Sequence, residues 1–488
     1  MTPILAGIET EYGLLIEGRT PEDQVDDAAA LVRSYPDECL AVWDASDESP
    51  RTDLRGFQVE RLAHDPVDAR FDEGRPPEPI AVVRADRILP NGARFYNDHG
   101  HPEYATPECW SDHELALHDR AGERAVLAAA HAYAGETGKV VRVYKNNTDY
   151  HGASYGTHES YLVPRMPFEP LFAALTPMLV ARTLLCGAGK VGSESGAPVE
   201  FQLSQRADFF TEAASVDTLY RRPVFNTRDE PHADAKVWMR VHVISGDANM
   251  SIPATECKIG LAKLALALLI EGACPTWKLA DSAGAMRSVS RGLGSGFEIQ
   301  LDGGGTSNAE EVLLSYLDAG DRVFGDEGRA ARASWRRLLA DREGCPERFA
   351  AHVDWAAKKR MLDEYRASEG VAWTDPWVRA FDLEYHNVDP EASLFYGLQA
   401  IGRVSPDPEP ETLARCLRHP PSDSRAAARG AAIHRFRDDV VTASWRTLTL
   451  RVGGGVQTVE LHPDMRPSQA FEAASDVESF MTLLRGGR

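Results

Sequence analysis

The sequence predicts an α+β protein built on a large antiparallel sheet, with a small second unit at its C-terminal end. Three observations lead there. Runs of β-formers are interrupted by helical patterns without the regular strand–helix cadence of a parallel sheet. At 488 residues the chain is longer than one ordinary hydrophobic core supports, so two units are expected. The composition shifts near residue 405, where Ser405-Pro406-Asp407-Pro408-Glu409-Pro410 reads as a linker. Hydrophobic residues at 43% and charged residues at 26% fit a globular chain and not a disordered or fibrous one.

Taken in order, Ile4 to Ile16 mixes β-formers with two glycines and reads as a strand. Glu9 and Glu11 then project from one face, because side chains alternate along a strand. Residues 46–88 are rich in Asp, Pro, Arg and Glu with no sustained apolar period, the pattern of a long mobile loop, uncommon in a compact domain unless functional. Pro90-Asn91-Gly92 is a turn feeding an aromatic strand that ends at Asn97-Asp98. Ser111-Asp112-His113-Glu114 is a capping box opening a helix to about Tyr133, with its end near Gly135. Val140–Tyr144 is a β run, helical patterns recur at 168–186, 255–271 and 309–343, and strands or strand ends fall at 201–206, 226–232 and 241–247. Beyond the linker, Trp445–Val452 and Val456–Leu461 alternate as a hairpin around Gly453-Gly454-Gly455. The expected division is a catalytic unit over 1–404 and a C-terminal unit over 411–488.

Lysine and arginine total 53 against 74 acidic residues, a net charge of −21, which argues against nucleic-acid binding. Seven cysteines, odd in number and with no C-x-x-C pair, read as reduced thiols. The N-terminus lacks the basic and long apolar stretches of a signal peptide. The strongest apolar run, Leu264 to Ile270, is far short of the ~20 residues that cross a bilayer. A cytoplasmic protein without membrane or nucleic-acid partners is expected. Gly187-Ala188-Gly189-Lys190-Val191 is not a phosphate loop, since Leu184 and Val191 stand where that motif needs glycine and a hydroxyl. Gly292–Gly296 and Gly303–Gly305 are turns, and no G-x-S-x-G or H-E-x-x-H is present.

What remains is a set of acids, histidines, arginines and one tyrosine on expected strands: Glu9, Glu11, Tyr96, Asp98, Glu103, His158, Arg206, Arg228 and His242. Carboxylates converging on one sheet face repel and raise each other's pKa unless a cation neutralises them. Magnesium favours oxygen ligands and bridges carboxylates to nucleotide phosphates, while arginine grips phosphate bidentately. The set therefore points to an enzyme that uses ATP and magnesium.

Gly7-Ile8-Glu9-Thr10-Glu11-Tyr12-Gly13, Asn91–Asp98, His101-Pro102-Glu103-Tyr104-Ala105-Thr106-Pro107-Glu108-Cys109, Lys145-Asn146-Asn147-Thr148-Asp149 and Asn226-Thr227-Arg228-Asp229-Glu230-Pro231-His232-Ala233-Asp234-Ala235 together resemble the Pup ligase and Pup deamidase/depupylase family (PafA and Dop). The resemblance extends to Asp438–Trp445. It implies a fold related to glutamine synthetase, with ATP and magnesium in a sheet cradle. By resemblance, Glu9, Glu11, Tyr96, Glu103 and His158 would ligate magnesium. Arg94, Thr106 and Trp445 would contact ATP, with Arg206, Arg228 and His242 on phosphate or substrate, and Asp98 matches the family's catalytic aspartate. Without the resemblance, Tyr96 reads as a packed aromatic, Trp445 as a hairpin core residue, His242 as a satisfied strand histidine and Glu11 as a solvated acid.

Glu48–Phe57 and the polar stretch after it are similar to an insertion that Dop-type enzymes carry and ligases lack. Three strings, at 101–106, 145–148 and 186–190, lean toward the ligase version. The reading is an ATP-dependent deamidase and depupylase acting on a Pup-like modifier and on pupylated proteins. The alternatives are a Pup–protein ligase working through a γ-glutamyl phosphate and a catalytically idle tag-binding module. The modifier is expected to be acidic, so Arg415, Arg418, Arg425, Arg429, Arg435 and Arg437 form either an attractive patch or a solvated helix face.

Overall fold

The computed structural model describes residues 2–62, 80–149, 152–465 and 470–486. Its centre is a six-stranded antiparallel sheet of β1 (Leu5–Glu11), β2 (Arg87–Ile88), β3 (Arg94–Asp98), β4 (His101–Ala105), β5 (Thr157–Pro164) and β6 (Trp238–Val243), in the order β6-β5-β1-β4-β3-β2. Alternation along β1 separates two environments. Ile4, Ala6 and Ile8 join the main apolar core with Tyr161, Val163, Met239, Val241 and Val243, while Glu9 and Glu11 share the opposite face.

The first segment is not one strand. The chain leaves the sheet after Glu11, Tyr12 is fully buried, and Gly13–Ile16 pairs with Val141–Tyr144 instead. Glycine is needed at the break, since a Cβ on Gly13 would lie 2.4 Å from the Tyr155 hydroxyl.

Three helices matter for the site: α1 (Gln24–Arg33), α2 (Asp112–Thr137) and α3 (Ile252–Ile270). Ser111 Oγ accepts from the Glu114 amide at 3.3 Å, capping α2 as expected. The helix ends later than Gly135, because Gly138 supplies the left-handed cap at φ 68° and its amide closes on the Ala134 carbonyl at 2.8 Å. The 309–343 pattern is two helices, Ala309–Phe324 and Arg329–Gly344, parted by Gly325 and Gly328 in positive φ. Helices Asp354–Glu369, Pro376–Glu384 and Leu394–Ala400 carry no expectation from the sequence.

Part of the expected mobile loop, 63–79, lies outside the described residues. Its described flanks are tied down. The Leu54 amide donates to the Thr227 carbonyl at 2.8 Å, the Asp229 amide to the Thr52 carbonyl at 2.9 Å, and Thr227 Oγ1 to the buried Asp53 at 2.5 Å.

Near the C-terminal end, β7 (Val440–Ala443), β8 (Thr447–Val452) and β9 (Gly455–Glu460) form an antiparallel sheet. With helices Ala426–Phe436 and Val477–Gly486 it encloses an apolar cluster of its own, which Ile88 from β2 enters. Helix Pro410–Arg418, by contrast, packs Leu413 and Cys416 on Leu117 and Ala121 of α2. Of the arginines of this region, Arg425 and Arg429 are buried, while Arg435 and Arg437 are exposed but partnered. Arg425 and Arg429 converge on Glu108, Arg435 donates to the carbonyls of Phe471, Glu472 and Ala474, and Arg437 pairs with Glu38 at 3.0 Å. Arg415 and Arg418 stay exposed. No helix among the described residues is long and apolar enough to cross a membrane.

Candidate active site

The turn between β3 and β4 is His99-Gly100, with φ of +46° and +90°, a two-residue hairpin whose twist matches its strands. The Gly100 amide donates to Asn97 Oδ1 at 3.0 Å. Asp98 therefore stands at the hairpin tip, opposite His101, with its side chain 27% exposed. Register does the rest. Glu11 lies opposite Glu103, and Glu103 opposite Tyr96, so Glu11, Asp98 and Glu103 bring carboxylate oxygens within 4.8 Å of one another.

Three carboxylates that close cannot all ionise freely. Burial first, then Asp98, Glu9 and Glu11, pushes the Glu103 carboxyl well above its ordinary range, and Tyr96 Oη donates to it. Burial would raise Asp98 too, but His99, with Nδ1 at 3.1 Å, holds it below the ordinary carboxylate range. An all-oxygen donor set with excess negative charge suits a hard divalent cation.

A second group forms on the neighbouring strands. Glu9 Oε2 lies 3.7 Å from His158 Nδ1 and 3.8 Å from His242 Nε2, and Glu9 Oε1 lies 3.6 Å from Arg240 Nη1. Burial pushes His242 down to about 3, so it is neutral. Its Nδ1 meets Asn226 Oδ1 at 3.2 Å, and its buried Nε2 has no hydrogen-bond partner. A neutral imidazole with a spare ring nitrogen facing a carboxylate is a metal-ligand arrangement. Glu9 and Glu11, expected as neighbours on one face, thus fall in different groups, and His242, expected on phosphate or substrate, stands with Glu9 and His158 in a group that could hold a metal ion.

Beside Glu9 opens a pocket with about 520 Å³ of free space including its mouth. Thr106 and Trp445 line it, as do Gly7, His232, Arg240 and Arg425. Thr106 Oγ1 accepts from the Ile8 amide at 3.0 Å, and Trp445 packs edge-on to Trp43 at 4.9 Å and under Arg429. The three arginines expected at ATP, phosphate or substrate, Arg94, Arg206 and Arg228, do not line it. Arg94 is held by Asp86 at 2.7 Å and Glu48 at 3.1 Å, over the rings of Trp43 and Tyr96. Arg206 is 1% exposed and donates to the Ile244 carbonyl at 2.6 Å, supporting the cradle from beneath. Arg228 reaches Thr218 Oγ1 at 3.4 Å and faces Glu230.

Arg240, His232, Arg425 and Glu108 were not singled out as site residues from the sequence. Arg240 had a signal, being two residues before His242 and hence on its face of β6. Glu108 and Arg425 had none, since their ion pair at 2.7 Å joins residues 317 apart.

A family model described as Pup-ligase protein matches residues 4–449. A depupylase of Acidothermus cellulolyticus is 35% identical over 506 aligned residues, covering 99% of each chain. A Pup–protein ligase of Acidimicrobium ferrooxidans is 39% identical over 382 residues, covering 74% of this chain and 83% of its own. A crystal structure of Pup with its ligase PafA superposes at a TM-score of 0.78 and 27% identity, over 100% of this chain and 93% of that one. PafA in complex with ADP gives a TM-score of 0.72 at 28% identity, over 88% and 96%.

Proposed function

The chain belongs to the Pup-ligase family, and on that footing we propose that it is a deamidase and depupylase, hydrolysing the side-chain amide or isopeptide at the C-terminal residue of a Pup-like modifier. The observation that carries this reading is the alignment with a depupylase over 99% of both chains, against 74% of this chain for the ligase. The stretch 46–88, similar to the Dop-type insertion, supports it. The ligase reading stays second, favoured by the higher identity of that ligase within the shared portion.

The fold is taken as glutamine-synthetase-like, with 1–404 as catalytic unit and 411–488 as C-terminal unit, and the location as cytoplasmic. ATP belongs in the pocket beside Glu9, supported by the ADP complex of a relative, with Thr106 and Trp445 on it. Glu9, His158 and His242 would hold one magnesium, and Glu11, Glu103 and Tyr96 Oη another. Ions bound there would neutralise the converging carboxylates and supply the positive charge that nucleotide phosphates need. Arg94, Arg206 and Arg228 are bonded to residues outside the pocket lining and would act on phosphate or substrate only from beyond it.

Asp98 is the reacting group. Its ionised oxygen at the hairpin tip attacks the scissile carbonyl carbon, or takes a proton from the water that does. The C–N bond breaks, nitrogen leaves with a proton as ammonia or as the lysine amine, and water supplies the hydroxyl of the new carboxyl group. The test is incubation with ATP, magnesium and a tag ending in glutamine. Ammonia release is expected, and tag attachment to lysine without it would transfer the chain to the ligase branch.

A further inference from the structure

His232 lines the pocket, yet the reading above gives it no task. Its φ is +48°, a left-handed backbone uncommon outside glycine, although histidine is among the residues that enter it most readily, and one held in place by its surroundings. The His232 carbonyl accepts from Arg425 Nη1 at 2.7 Å, and Arg425 is fixed in turn by Glu108 at 2.7 Å. The held turn delivers the imidazole to the cavity beside Arg240, Thr106 and Trp445, where the ring makes no hydrogen bond to any described residue. Burial, then Arg240 and Arg425, keeps it well below the ordinary histidine range, so the ring is neutral and offers one N–H donor and one lone pair.

An uncharged ring with both nitrogens unpaired complements the uncharged, hydrogen-bonding part of a ligand. On a nucleotide that part is the nucleoside. The pocket's lining runs from apolar to charged. Leu5, Gly7 and Glu9 share its face of β1, and four residues of strand span about 13 Å, with Leu5 and Leu162 paired at the apolar end and Glu9 at the charged end. We propose that His232 is a specificity-determining residue that hydrogen-bonds the base or ribose of the nucleotide. This rests on the ATP site proposed above.

Isothermal titration calorimetry of Mg-ATP and of Mg-tripolyphosphate, which lacks the nucleoside, decides it in the full chain. His232→Gly relieves the backbone, so its melting temperature is expected at or above that of the parent, with ATP binding weakened about five- to tenfold, the scale of one neutral hydrogen bond, and tripolyphosphate binding unchanged. His232→Asn, whose side chain tolerates the left-handed region, gives the same pattern and carries the test if the glycine variant does not fold. ATP affinity unchanged in both variants overturns the inference and leaves the ATP site standing. ATP and tripolyphosphate affinities falling together, or a lowered melting temperature in both, also overturns it, assigning His232 to the scaffold. A parent chain that binds no ATP removes the underlying site itself.

Discussion

Replacing Glu108 by glutamine should cost the fold about 3 kcal/mol at neutral pH, and the figure follows from the ion triad. Glu108 Oε1 accepts from Arg425 Nε at 2.7 Å and from Arg429 Nη1 at 3.2 Å, and Oε2 meets Arg429 Nη2, with both guanidiniums almost wholly buried. Burial alone would raise the carboxyl, but Arg429 and Arg425 hold it at about 2 against an ordinary 4.5. At about 1.36 kcal/mol per pH unit that difference is about 3 kcal/mol, within the range for breaking a buried pair. Because the folded-state pKa is depressed, the stabilisation is complete above pH 4.5 and disappears as pH falls toward 2. Urea unfolding followed by tryptophan fluorescence, on parent and Glu108→Gln across pH 7 to 3, should show a gap that is widest at pH 7 and narrows below pH 4.5. A gap under about 1 kcal/mol at pH 7, or one indifferent to pH, would refute the reasoning.

Asp98→Asn is expected to lower ammonia release by about 10³-fold or more while tag and ATP affinities hold; turnover within tenfold of the parent would remove Asp98 from the chemistry. Glu11→Gln and Glu103→Gln should each raise the magnesium concentration for half-maximal activity at least about tenfold, and chelation should abolish activity until magnesium is restored. Gly122→Ala, ordinarily a helix-stabilising change of about 1 kcal/mol, should instead destabilise by about 1–2 kcal/mol. The new Cβ would lie 2.2 Å from the Tyr104 ring, which is pinned by Asn91 Nδ2 at 2.8 Å, and a variant as stable as the parent in thermal melts would show that the ring can move.

The acids of the site were legible because strand alternation is a local rule. Glu9 and Glu11 two apart, and the turn at Asn91-Gly92 feeding Tyr96 and Asp98, place their own side chains. What pairs with β1 was not legible, since its register joins Glu11 to Glu103, 92 residues away, whereas the β3–β4 hairpin pairs near neighbours such as Tyr96 and Glu103. The helices between 345 and 404 escaped for another reason. Their buried faces carry Asp354, Lys358 and Asp382, and Lys358 Nζ bonds Asp382 Oδ1 and the Gly189 carbonyl at 2.6 and 2.7 Å, so the apolar period is broken by charges satisfied only in three dimensions. Arg425 and Arg429 misled in the same way, as a run of like charge whose counter-ion sits in Glu108.

The pocket beside Glu9 takes one wall from the first strand and another from Arg425 and Trp445. Synthesis proceeds from the amino end, so the cradle of β1, β4 and β5 has left the ribosome long before those two side chains emerge. A nascent chain, or one truncated ahead of Trp445, would carry every acid of the site while the pocket beside Glu9 still lacked its Trp445 wall, so the two sides of that pocket meet only after residue 445 has been made.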